Sequence, residues 1–136
     1  MKRSVVFLRI AYGAGAALDA AMLPPMLVPS IGAAMFGISG FHPGAAYCYA
    51  MYVGASLMAG WTALLLWGIH RPVERRGVIL LTVFPVILGL IGSSVFAAAS
   101  GLVAMSRITP ILGLQVLLGA FFVAAYAVSR HEAPAG

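Results

Sequence analysis

Four long apolar runs, separated by short segments that carry charge, proline or glycine, set the pattern of this chain. They cover about residues 4–26, 45–69, 77–100 and 108–128, each near the roughly 20 apolar residues that a helix needs to cross a bilayer. The pattern predicts an all-α integral membrane protein: one domain over residues 1–136, folded as an antiparallel up-down bundle of four transmembrane helices.

The stretch 28–44, between the first two runs, is apolar as well. Ile31, Ala34, Met35 and Ile38 recur at helical spacing. This predicts a short outer interfacial helix, lying on the membrane or tucked against the bundle, with Ser30 as its N-cap. Gly40 and the Pro43-Gly44 pair then turn the chain into the second span. Pro24 and Pro25 should end or kink the first helix, and Pro85 should bend the third, because proline removes a helical hydrogen bond and crowds the preceding turn. Tyr47, Tyr49, Tyr52 and Trp67 lie near the ends of the second span, where amphipathic aromatics meet a membrane interface.

Composition agrees with a bilayer as solvent. The chain is 62% hydrophobic and 8% charged, far below the roughly 25% charged content of soluble domains. Its mean hydropathy is +1.05. The net charge of +5 does not point to nucleic acid, since the basic residues lie between apolar runs rather than along one polar face. Lys2, Arg3, Arg71, Arg75, Arg76 and Arg130 fall on one side of a four-helix topology and Arg107 on the other. By the excess of basic residues in cytoplasmic loops, the expectation is a cytoplasmic (inner) membrane protein with both termini cytoplasmic. Met1, Lys2 and Arg3 followed by Ser4 to Leu8 look like the start of a secretory signal. Arg9 interrupts that run and Asp19 falls where a small-residue cleavage site would lie, so a retained first helix is expected.

Lipid tails are as apolar as leucine, so membrane helices associate through close packing and interhelical hydrogen bonds. Small residues at four-residue spacing mark candidate seams: Gly13, Ala17 and Ala21; Ser56 and Gly60; Gly89, Ser93 and Ala97; Ala120 and Ala124. The methionines share no helical spacing and read as packing filler rather than a soft-metal path. Cys48 has no partner for a disulfide or a CxxC motif and reads as a small apolar residue. His42, His70 and His131 are scattered, so neither a metal nor a cofactor is expected.

Asp19 is the residue most out of place. An aspartate at a helix centre costs about 2.5 to 3.5 kcal/mol, against about 0.3 to 0.6 kcal/mol returned by each large apolar residue. Val5, Val6, Phe7, Leu8, Ile10, Leu18 and Leu23 roughly balance it, so the first helix depends on its neighbours. By helical rise, Asp19, Tyr52, Ser93 and Gln115 all lie roughly 8 to 14 Å below the outer surface, predicting one polar layer. Gly15 and Ala16 leave room beside the carboxylate. Arg107 is its foremost candidate ion-pair partner, and Arg9 a weaker one. A ligand or ion site, or a carboxyl kept neutral by desolvation, are the other readings.

Arg71, Arg75 and Arg76 are candidate contacts for anionic lipid headgroups, while Glu74 and Glu132 fit solvated ion pairs with nearby arginines. These readings favour a non-enzymatic protein that binds or moves a small lipophilic or cationic solute around Asp19, as a homo-oligomer in the bilayer. The alternative is a structural or accessory subunit of a membrane complex, with Asp19 and Arg107 as an internal strut. An enzyme acting on lipid is disfavoured, because one acid without a base or metal site is thin equipment for acid–base chemistry.

Overall fold

The computed structural model describes residues 3–130; Lys2, His131, Glu132 and the rest of the polar tail lie outside that range. The described residues are mostly helical, with no strand among them. Helix α1 spans Arg3–Leu27, α2 Pro29–Phe36, α3 Ala45–His70, α4 Gly77–Leu81, α5 Leu88–Ala99 and α6 Met105–Ser129. A π-helical turn, Thr82–Ile87, joins α4 to α5 in one continuous rod. Four helical stretches are long and apolar enough to cross a membrane: Arg3–Leu27, Ala45–His70, Gly77–Ala99 and Met105–Ser129.

The expected spans match these helices to within a few residues, and the short helix falls in the predicted interval. Its cap differs. Val28 occupies the N-cap position with extended backbone, and no side chain caps the helix. Pro29 opens the first turn, where its fixed φ suits the helix and its missing N–H costs nothing. Ser30 therefore lies inside α2. Pro24 and Pro25 do not end α1, which continues to Leu27 before the chain turns at Val28. At Pro85 the helix widens into the π turn, which accommodates a residue that cannot donate a backbone hydrogen bond.

Helix α1 packs against α3 along most of its length and also against α6 and α2, while α5 lies beside α6. The packed face of α1 is Ser4, Leu8, Ala11, Tyr12, Gly15 and Ala16, all buried. Tyr12 is fully buried, and its ring fills the space left by the missing side chain of Gly68 on α3. One turn on, a Cβ placed on Gly15 would sit 2.8 Å from Phe122 Cζ and 3.2 Å from Leu65 Cδ1. Near the other end of α1, Gly54 of α3 receives Met26, whose methyl would lie 2.8 Å from an added Cβ. Gly32 of α2 lies against the backbone carbonyl of Pro25, so the short helix folds back onto the end of α1.

The glycines expected to mark seams do otherwise: Gly13, Gly60 and Gly89 face open space, with nothing within 4 Å of an added Cβ. Close approach occurs instead at Gly15, Gly54 and Gly68. The exterior is apolar, with Phe96 71%, Leu57 70% and Leu117 69% exposed. A surface of this kind is compatible with a membrane protein.

The end of the fold that carries the α3–α4 connection is tied by polar contacts. The Tyr12 hydroxyl donates to the Arg75 carbonyl at 2.6 Å. Arg76 donates to the Ser129 carbonyl at 2.7 Å, and Arg75 lies 3.4 Å above the centre of the Trp67 ring while donating to the Trp67 carbonyl. Together these contacts hold α1, α3 and α6 to one connecting turn. Gly68→Ala would force the anchored Tyr12 ring to move and is expected to destabilise by about 1–3 kcal/mol, as overpacking does. Gly60→Ala, facing open space, should change little. An SDS-titrated unfolding series in mixed micelles checks the contrast, and equal stabilities would remove the close approach as a constraint.

Candidate functional site

Asp19 continues the packed face of α1, four residues beyond Gly15 and three beyond Ala16. Its Oδ2 is buried and accepts no hydrogen bond. No cation among the described residues pairs with it; the Arg107 ion pair is not formed, and the described carboxylate that is paired is Glu74, 3.3 Å from Arg71. The nearest hydroxyl by helical level on α3, Thr62, donates to its own helix at the Met58 carbonyl, 2.9 Å away.

Just beyond Asp19, toward the end of the fold capped by α2, a cavity of about 560 Å³ opens between the helices. Met22 of α1, three residues on from Asp19 and on the same face, forms part of its wall. Met35 and Phe36 of α2 close one side. Leu90, Ser93, Ser94 and Ala97 of α5 face Ser106, Arg107, Ile111, Leu114 and Gln115 of α6 across it. The volume lies within the roughly 300–1,000 Å³ typical of small-ligand pockets, and the lining has the same make-up, mostly apolar with a few polar groups.

Those polar groups come from two levels. Ser94 and Gln115 hydrogen-bond to each other at 3.3 Å, linking α5 to α6. Arg107, in the first turn of α6, lies beside Gly37. A Cβ there would fall 3.4 Å from Arg107 Nε and 3.6 Å from Cζ. Gly37 closes α2 in the left-handed conformation, φ 69°, with its N–H and that of Ile38 returning to the last carbonyls of α2. Glycine is needed at this position twice, for the backbone angle and for room beside the guanidinium.

The four residues expected to form one polar layer, and Arg107 expected to pair with Asp19, are therefore divided. Arg107, Ser93 and Gln115 line the cavity; Asp19 lies one turn outside it; Tyr52 is half exposed on α3. Tyr52 lies two residues beyond Gly54, which meets Met26, so it sits roughly 13 to 14 Å along the axis from Asp19 at a rise of about 1.5 Å per residue. Ser93 turns its hydroxyl onto the Gly89 carbonyl of its own helix, 2.9 Å away, and the interhelical bond belongs to Ser94. The signal for Ser94 was its spacing: it lies seven residues from buried Ile87, on the same face.

Of the arginines expected at lipid headgroups, Arg75 and Arg76 are engaged within the protein as described above, and Arg71 pairs with Glu74 while remaining two-thirds exposed. Among the described residues no group of His, Cys, Asp or Glu could hold a metal ion. None of the family models, characterised proteins or solved structures compared with the chain matches it.

A half-buried carboxyl with one oxygen closed off from any partner carries desolvation cost without a compensating bond. Asp19→Leu is accordingly expected to leave the fold intact and raise its stability by about 1 kcal/mol. Exchanging the charges at Asp19 and Arg107 should rescue nothing. The unfolding titration reads both, and a loss of stability in Asp19→Leu would show that the carboxyl has a stabilising partner.

Proposed function

We propose that this chain is an integral protein of the cytoplasmic membrane, folded as an antiparallel four-helix bundle with both termini cytoplasmic, that binds a small lipophilic solute in the cavity between α2, α5 and α6. Four helices of sufficient length and apolarity, with large apolar side chains on the outside, support insertion in a bilayer. The bonds from Tyr12 to Arg75 and from Arg76 to Ser129 support the topology, because they gather the N-terminal half of α1, the basic turn and the C-terminal end of α6 at one end.

The observation that carries the binding reading is the cavity itself, with its apolar wall and its small set of polar groups. Arg107 within the lining and Asp19 outside it disfavour the cationic solute expected from sequence. The accessory-subunit reading loses its strut, since Asp19 and Arg107 are not paired.

The test is photolabelling in nanodiscs with a diazirine-bearing fatty alcohol, an uncharged lipophilic probe. Labelling of Met22 and Met35 should saturate with probe concentration, whereas labelling of lipid-facing Phe96 should not. Ser93→Phe places a ring in the cavity without removing an interhelical bond, and should abolish the saturable component. If labelling at Met22 and Met35 is non-saturable and unchanged in that variant, the cavity is ordinary lipid-filled space and the reading is wrong.

A further inference from the structure

Resting on the cavity reading above, we propose that the ligand is a single-chain amphiphile with an anionic head, a carboxylate or a phosphate monoester, whose head binds Arg107 and whose chain runs down α6. Among the described residues the Arg107 side chain has neither an ion pair nor a hydrogen bond, yet it lines a cavity that is otherwise largely apolar. Arg107 is exposed at the rim of that cavity, so its charge is open to an anion arriving from outside while the apolar wall lies beside it. Its fork of N–H donors also matches two oxygens of a carboxylate or phosphate at once.

The position of Arg107 fits this use. Gly37 leaves the guanidinium space beside the end of α2, in the first turn of α6, which is the depth of a headgroup in the proposed topology. From there the apolar wall descends through Ile111 and Leu114. Leu114 is shared with a second depression of about 500 Å³, lined by Leu117, Leu118, Ala120, Phe121 and Ala124. Arg107, Ile111, Leu114, Leu118 and Phe121 follow one another at three- and four-residue steps, so cation and groove lie along one side of α6. A charged head at the membrane surface and a chain pointing to the bilayer centre is the orientation that a fatty acid or a lysolipid-like phosphate adopts in a leaflet.

The experiment uses three diazirine probes with one chain length, ending in a carboxylate, a phosphate monoester or an alcohol, on the full chain in nanodiscs of neutral lipid. Both anionic probes should saturate Met22 and Met35 labelling at about tenfold lower concentration than the alcohol, and a preference for one of them identifies which head the site takes. Arg107→Gln should bring the anionic probes to the level of the alcohol, and Arg107→Lys should retain part of the difference. Equal saturation by acid and alcohol in the wild-type protein, a comparison that needs no variant, overturns the anionic head while leaving the cavity reading standing. An acid preference that survives Arg107→Gln overturns the role of Arg107. Absence of saturable labelling by all three probes overturns both readings.

Discussion

The fit of one tyrosine into one glycine governs this structure. Tyr12 is fully buried against Gly68, and its hydroxyl holds the Arg75 carbonyl of the α3–α4 connection. Helices in an apolar solvent gain little from hydrophobic exclusion, so a steric fit closed by a hydrogen bond is an effective way to set their rotation. With Tyr12 fixed, the helical period turns Leu8, Gly15 and Ala16 toward the same side, where they meet Leu65 and Phe122. Asp19 follows seven residues after Tyr12, two turns on, and is carried inward by the same rotation. The burial of its Oδ2 without a partner is thus a consequence of how α1 is anchored rather than of any attraction at its own level.

Three arginines share a second constraint. A helix leaves its last carbonyls without internal partners, and in apolar surroundings each must be satisfied or moved to the interface. Arg75 serves the Trp67 carbonyl near the end of α3, Arg76 serves the Ser129 carbonyl at the end of α6, and Arg107 lies beside the end of α2. Cations at helix C-termini are also favoured by the helix dipole. The first two are fully used in this way. Arg107 differs because the last turn of α2 is already closed by its own backbone through Gly37 and Ile38, so its exposed side chain lies beside that turn and the cavity without a hydrogen-bond partner.

This difference explains what was legible in the sequence. The spans could be read to within a few residues, and the short helix to its interval, because length and apolarity carry that information. Helical phase could not be read in the same way. Where the outside of a helix faces lipid, its outer and inner faces are both apolar, and the periodicity that would separate them disappears. Four-residue spacing of small residues therefore selected Gly13, Ala17 and Ala21 on α1, while Tyr12, Gly15 and Ala16 do the packing. The same ambiguity of phase put Ser93 in place of Ser94 in the polar contact with Gln115. Depth arithmetic failed for Tyr52 because it assumed helices that start level, whereas α3 begins well beyond the level at which α1 ends: Gly54, not Ala45, meets Met26.

The prolines complete the account of why the fold is tight at one end and open at the other. Tyr12, Leu65, Gly68, Ile79 and Phe122 belong to the uninterrupted parts of their helices, where regular backbone lets side chains interlock. Pro24 and Pro25 fall in the last turns of α1, Pro85 in the π-helical turn before α5, and Pro110 in the first turns of α6 beside the cavity. Each withholds one backbone donor and so frees a carbonyl in the preceding turn. Freed carbonyls are tolerated at membrane depth where they are buried in protein or line a cavity. Irregular backbone and the larger cavity thus occur together on the side of the bundle capped by α2, while the second depression follows the regular stretch of α6 below it.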